Sequence, residues 1–102
     1  MSVSACYMVH NAKINGVRSR LFPINRPIGD VSNTPVRMHG IRASIDSNTT
    51  SSNKEPPLLT LTLNEIVPLL PAGKSVILQM DVESFECRAL LGAAELLKHA
   101  NV

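Results

Sequence analysis

The chain has no tryptophan, one tyrosine and two phenylalanines in 102 residues, so aromatics make up only 3% of it. That scarcity weighs against a nucleic-acid surface, where bases stack on aromatic rings between basic residues. Charge agrees: the formal net charge is only +2, with arginines scattered before Ser47 and acids commoner later. Cysteine is scarce too. Cys6 and Cys87 lack a CxxC spacing, and neither they nor His10, His39 and His99 form a ligand pattern, so no metal site is expected and both thiols are predicted to be buried and reduced. No apolar run reaches the roughly 18 residues of a membrane span, and no charged start with an apolar stretch opens the chain. The chain therefore reads as soluble, with the cytoplasm as the default compartment. Asn48-Thr49-Thr50 has the form of a glycan acceptor, which matters only on the secretory route.

What is present is aliphatic: 44% of residues are hydrophobic and 18% charged, the balance of a small globular unit. Ala5, Met8, Val9 and Ala12 recur at helical spacing, and Asn15-Gly16 supplies a stop. Residues Arg20 to Asn25 predict a short strand at a sheet edge, because Pro23 lacks a ladder donor. A turn follows in "RPIGD". Pro35 to Ile45 predicts two extended pieces broken at Gly40, and the polar stretch Asp46 to Pro57 a flexible loop. Thr62 and Glu65 have the spacing of a capping box, and Pro68 and Pro71 keep its helix short.

The densest information lies in "KSVILQMDVESFECRALLGAAELL", Lys74 to Leu97. Ser75 to Met80 predicts a strand buried on both faces. A helical period begins at Phe85 and puts Cys87, Leu90, Leu91, Ala94 and Leu97 on the buried stripe, with Ser84 as cap and Glu86 in the first turn. A buried strand, tight turn and packed helix make half of a βαβ unit, so the expected class is α/β. In such sheets ligands sit beyond the carboxyl ends of the strands, where Asp81 and Glu83 would stand. There they could accept hydrogen bonds from a bound hydroxyl or amine, or act as a base. Spacing alone equally allows both acids to do no more than complement the start of the helix.

Asp81, Val82, Glu83, Glu86, Leu91, Gly92 and Ala93 together resemble the signature of FkbM-type methyltransferases, and "NAKINGVRSRLFPINRPIGD" and "TLTLNEI" resemble two further stretches of that family in the same order. The resemblance spans about two thirds of the chain. It implies an incomplete Rossmann-like class I methyltransferase fold, lacking the first strands and the last. Residues 1–45 would be its third-strand region, 46–57 a loop, and 58–102 the fourth strand and following helix. It further implies S-adenosylmethionine as cofactor, with Asp30 near its adenine, and Asp81 and Glu83 facing the methyl group and an acceptor such as a hydroxyl. Three departures stand out. The family's glycine is Ser84, its lysine is Gln79, and no glycine-rich turn follows a strand. The expected activity is thus that of a methyltransferase fragment inactive alone, needing the rest of its domain or a partner chain. The alternative is a non-catalytic interaction module derived from such a domain.

Overall fold

The helical spacing near the start folds as expected. In the computed structural model, which describes residues 3–39, 42–45, 56–99 and 102, helix α1 runs Val3–Ile14 and buries Ala5 and Ala12. It ends in a Schellman motif: Gly16 takes φ +67°, its N–H donates to Lys13 O at 3.1 Å, and Val17 N–H donates to Ala12 O at 2.9 Å. A 3-10 turn follows at Arg18–Arg20.

The edge strand expected at Arg20 to Asn25 does not form; these residues have no ladder, and Phe22 and Ile24 are exposed. Pro23 removes a donor where a six-residue ladder needs one. The chain instead pairs slightly later, through a single parallel bridge between Ile28 and Leu61.

The two extended pieces are present. Strand β1, Pro35–His39, pairs antiparallel with β2, Arg42–Ile45, in the register Val36 with Ile45 and His39 with Arg42. On its other side β1 meets β3, Leu58–Leu59, to give the order β2-β1-β3. This sheet is antiparallel, and among the described residues the parallel pairing is confined to the Ile28–Leu61 bridge, with no parallel ladder of the kind a βαβ unit would carry. The predicted loop falls mostly outside the description: residues 46–55, with Asn48, are not among the described residues, and Pro56 and Pro57 lie in no regular element.

Residues 26 to 34 are stitched to 59 to 61. Gly29 N–H donates to Leu61 O at 3.0 Å, Leu61 N–H to Pro27 O at 2.8 Å, and Thr60 N–H to Thr34 O at 3.0 Å. Buried Thr60 satisfies its hydroxyl twice, donating to Val31 O at 2.6 Å and accepting from Thr34 N–H at 2.9 Å. Arg26 Nε donates to Leu59 O at 3.1 Å, and its Nη2 donates to Asn33 Oδ1 at 2.8 Å and to Thr60 O. A planar guanidinium suits this task because its donors diverge in a fixed fork.

The Thr62 and Glu65 pair works as its spacing predicts, although the helix it starts, Leu63–Leu69, is 3-10 with Pro68 inside. The Glu65 carboxylate accepts from Thr62 N–H at 2.7 Å, Ser32 Oγ at 2.7 Å and the Thr62 hydroxyl at 3.1 Å. The Thr62 N–H, then the Ser32 hydroxyl, hold its pKa below the ordinary 4.5, with the Thr62 hydroxyl and the Arg26 charge adding to them. A carboxyl with a depressed folded pKa contributes stability above its unfolded pKa and loses it as pH falls through the folded value. Thermal melts should therefore show an acid-induced drop beginning below about pH 4.5 that is smaller in Glu65→Gln. Identical acid limbs for the two proteins would show the carboxylate to be uncoupled from folding.

The C-terminal helix corrects the expected phase. It is two pieces, α2 at Glu86–Leu91 and α3 at Ala94–Lys98, joined through Gly92 and Ala93. Ala89, Ala93 and Leu96 are buried, with Leu63, in one core cluster. Cys87, Leu90, Leu91, Ala94 and Leu97, the stripe read from the sequence, are exposed instead. The cause is close approach. A Cβ on Gly92 would stand 2.5 Å from Gly29 O and 3.3 Å from Asp30 Cα, so only the small-residue face can lie against the stitched segment. Cys6 and Cys87, expected to be buried, are both exposed.

Candidate functional site

Ser75 to Met80 was expected to be a strand covered on both faces; the structure covers one. Val76, Leu78, Met80 and Val82 are half-buried, Ser75, Gln79 and Asp81 are exposed, and Ile77 is 95% exposed. This two-residue alternation is that of extended backbone. Leu78 and Met80 pack on the cluster of Leu63, Ala89, Ala93 and Leu96. Yet among the described residues no hydrogen bond involves the backbone of residues 74–81, and no strand lies beside them. Composition could not reveal this, because Val, Ile and Leu say that a strand is apolar, not what lies on its far side.

At the end of this run the chain turns sharply. Phe85 N–H donates to Val82 O at 3.2 Å, and the two residues between, Glu83 and Ser84, take φ +38° and +74°. Positive φ at both central positions is the pattern of a type I′ turn, which favours Asn and Gly; an L-residue with a Cβ pays about 1–2 kcal/mol there. Ser84 is therefore not the helix cap. Phe85 occupies that position, with no side-chain capping bond. Glycine is the residue the backbone asks for at 84. Ser84→Gly should raise stability by about 1 kcal/mol and the melting temperature by several degrees, read by calorimetry. An unchanged or lower melting point would mean that the turn relaxes without cost.

The three acids assigned by sequence all lie on the surface. Asp81 and Glu83 are exposed, as is Asp30, and none of their carboxylates has a hydrogen bond or ion pair. Asp30 follows the Ile28 bridge, and its backbone lies against Gly92. Shallow hollows of about 420 and 320 Å³ open along α1, the first bounded by Val3, Cys6, Tyr7 and His10; neither is lined by Asp30, Asp81 or Glu83. No group of His, Cys, Asp or Glu among the described residues has the geometry of a metal site. No described helix is long and apolar enough to cross a membrane.

A nucleoside cofactor needs a concave site where bare backbone comes close to the ligand. The two buried glycines do not supply it: the space beside Gly92 is taken by Gly29 O, Thr62 and Asp30 and that beside Gly29 by Thr60, while Gly16 and Gly73 sit in exposed turns at positive φ. Neither of these hollows and none of the described glycines thus offers S-adenosylmethionine such a site. Comparison with family models, with curated proteins and with solved structures returns no match.

What the site can do follows from its backbone. A run of unpaired N–H and C=O groups on a β-prone segment, anchored by one face, accepts another extended chain.

Proposed function

We propose that the chain is an interaction module that works by strand pairing, residues 74–82 being completed by an extended segment of another polypeptide. One observation carries this reading: the segment alternates between anchored and exposed side chains, while among the described residues the backbone of 74–81 has no hydrogen-bond partner. Main-chain hydrogen bonds would supply affinity, and the exposed Ile77 would give part of the specificity. The burial elsewhere agrees. Among the described residues the buried apolar set is Ala5, Ala12, Val36, Leu61, Leu63, Ala89, Ala93 and Leu96, half of it alanine, while Leu90, Leu91 and Leu97 stay exposed. So small a core gives a marginal domain, one that gains from a partner.

The test uses the whole chain and a synthetic peptide of alternating threonine and valine in excess. Amide exchange should slow about tenfold or more at alternate positions from 75 to 81, since only one edge of a strand faces each neighbour. Exchange unaffected by the peptide at millimolar concentration would remove the reading.

A second reading, methyl transfer within a larger domain of the FkbM type, has a specific observation in its favour. Ser84, at the position of the family's glycine, takes a glycine-like φ of +74°, and Gly92, at its leucine-glycine-alanine step, is a glycine that packing requires. On that reading Asp81 and Glu83 orient or deprotonate the acceptor, and Asp30 lies on the cofactor side, once further strands complete the sheet. Titration of this chain with S-adenosylmethionine should give no saturable heat. Saturable binding would put methyl transfer first.

A further inference from the structure

We infer that the strand pairing on residues 74–82 is met by a second copy of this chain, antiparallel, with Leu78 opposite Leu78 across a two-fold axis. The inference rests on the strand-pairing reading above and adds the identity of the occupant and its register.

The interior of the segment carries none of the features that keep edges apart, its charges lying at the ends. Between Lys74 and Met80 there is no proline, no glycine and no charge beyond Lys74 itself, and Ile77 stands almost wholly in solvent. Its charges are polar along the strand: Lys74 marks one end, while Asp81, Glu83 and Glu86 mark the other. A parallel neighbour of the same sequence would set lysine beside lysine and acids beside acids. An antiparallel neighbour sets each basic end beside the other's acidic end, so charge selects direction.

Register follows from the two faces. Directly opposed residues point to the same side of a sheet, so a two-fold pairing perpendicular to it must match residues of equal parity. Centred on Leu78, the central anchored residues meet one another, Val76 facing Met80 and Leu78 its own copy, and Lys74 meets Val82 only at the two ends. The core layers of the two copies then join without a break. On the other face Ser75 stands opposite Asp81, a hydroxyl beside a carboxylate, and Ile77 opposite Gln79, which shelters the most exposed large side chain. Centred on Ile77, the same pairing would bring Lys74 inward to face Met80 and set Val82 opposite Ala72, beyond the Gly73 bend, so fewer anchored residues would meet. A symmetric pair of this kind is the commonest form of assembly.

The experiment is sedimentation velocity from about 10 to 300 µM, with a disulfide-trapping arm in which Cys6 and Cys87, both exposed, are replaced by serine. In that background Ile77→Cys and Gln79→Cys are made separately, each at an exposed position. Opposed residues lie about 4.5–5.5 Å apart at Cα, within disulfide reach, whereas two copies of Cys at 77 would be diagonal at about 7–8 Å or more. Expected are a concentration-dependent monomer-to-dimer shift and, under mild oxidation, several-fold more covalent dimer from the mixture than from either variant alone. A monomer at every concentration overturns the inference, as does cross-linking that is equal in the mixture and the single variants. If the chain stays monomeric but the threonine-valine peptide protects residues 75 to 81, strand pairing stands and the second copy is not its occupant. Absence of both removes the two together.

Discussion

Gly92→Ala is expected to destabilise the chain by about 1–3 kcal/mol, a fall of roughly 5–15 °C in melting temperature for a domain of this size. Helix propensity points the other way, favouring alanine by about 1 kcal/mol in a helix interior. Sterics win because the obstacle is backbone: the added carbon would lie 2.5 Å from Gly29 O, with Thr62 Cβ and Asp30 Cα at 3.2 and 3.3 Å. No rotamer change relieves a clash with a carbonyl oxygen held by its own chain, so the helical junction and the stitched segment must separate. Asn64 N–H, which donates to Gly92 O at 2.9 Å, would loosen with them. A melting point at or above that of the unmodified chain would mean that helix and segment are not packed as described.

The second large effect is Leu96→Ala. Leu96 is 1% exposed, the largest fully buried side chain among the described residues, and truncating such a leucine removes its transfer energy and leaves a cavity, about 2–5 kcal/mol in all. Its companion is Leu91→Ala. The sequence puts Leu91 on the buried stripe, but it is 72% exposed, and its truncation should cost no more than about 0.5 kcal/mol. Urea melts of the pair decide the phase of the helix directly. A Leu91 variant weaker than the Leu96 variant would restore the stripe read from the sequence.

Features governed by neighbours in the chain were legible. The helix over Val3–Ile14 and its glycine stop, the two strands on either side of residues 40–41, and the Thr62 to Glu65 contact all depend on residues a few positions apart. What failed was non-local. The C-terminal segment has leucines on nearly every side, so its buried face is selected by what it meets, and Gly29 with Thr62 leaves room only for glycine at 92. The exposure of Cys87 follows from the same rotation. Likewise, nothing within Ser75 to Met80 can state whether a neighbouring strand exists. Of the candidate site, the sequence marked the acids and the strand that leads to them. It could not tell that Asp30, Asp81 and Glu83 would lie open to solvent, since burial of a carboxylate is decided by chain elsewhere. The strained turn at Glu83 and Ser84 was legible only through the family pattern, in which glycine stands where serine does here.

The Asn64 side chain spans a junction that the covalent chain reaches only by a long detour. Its carbonyl oxygen accepts from Glu95 N–H at 2.8 Å and from Leu96 N–H at 3.2 Å, capping the last helix from a residue some thirty positions earlier. Leu63, beside it, shares the core cluster with Leu96. The intervening stretch is therefore not what tethers these two parts. A protease nick at the exposed bend around Gly73 would sever the thread without parting the pieces, and the halves would still travel as one body.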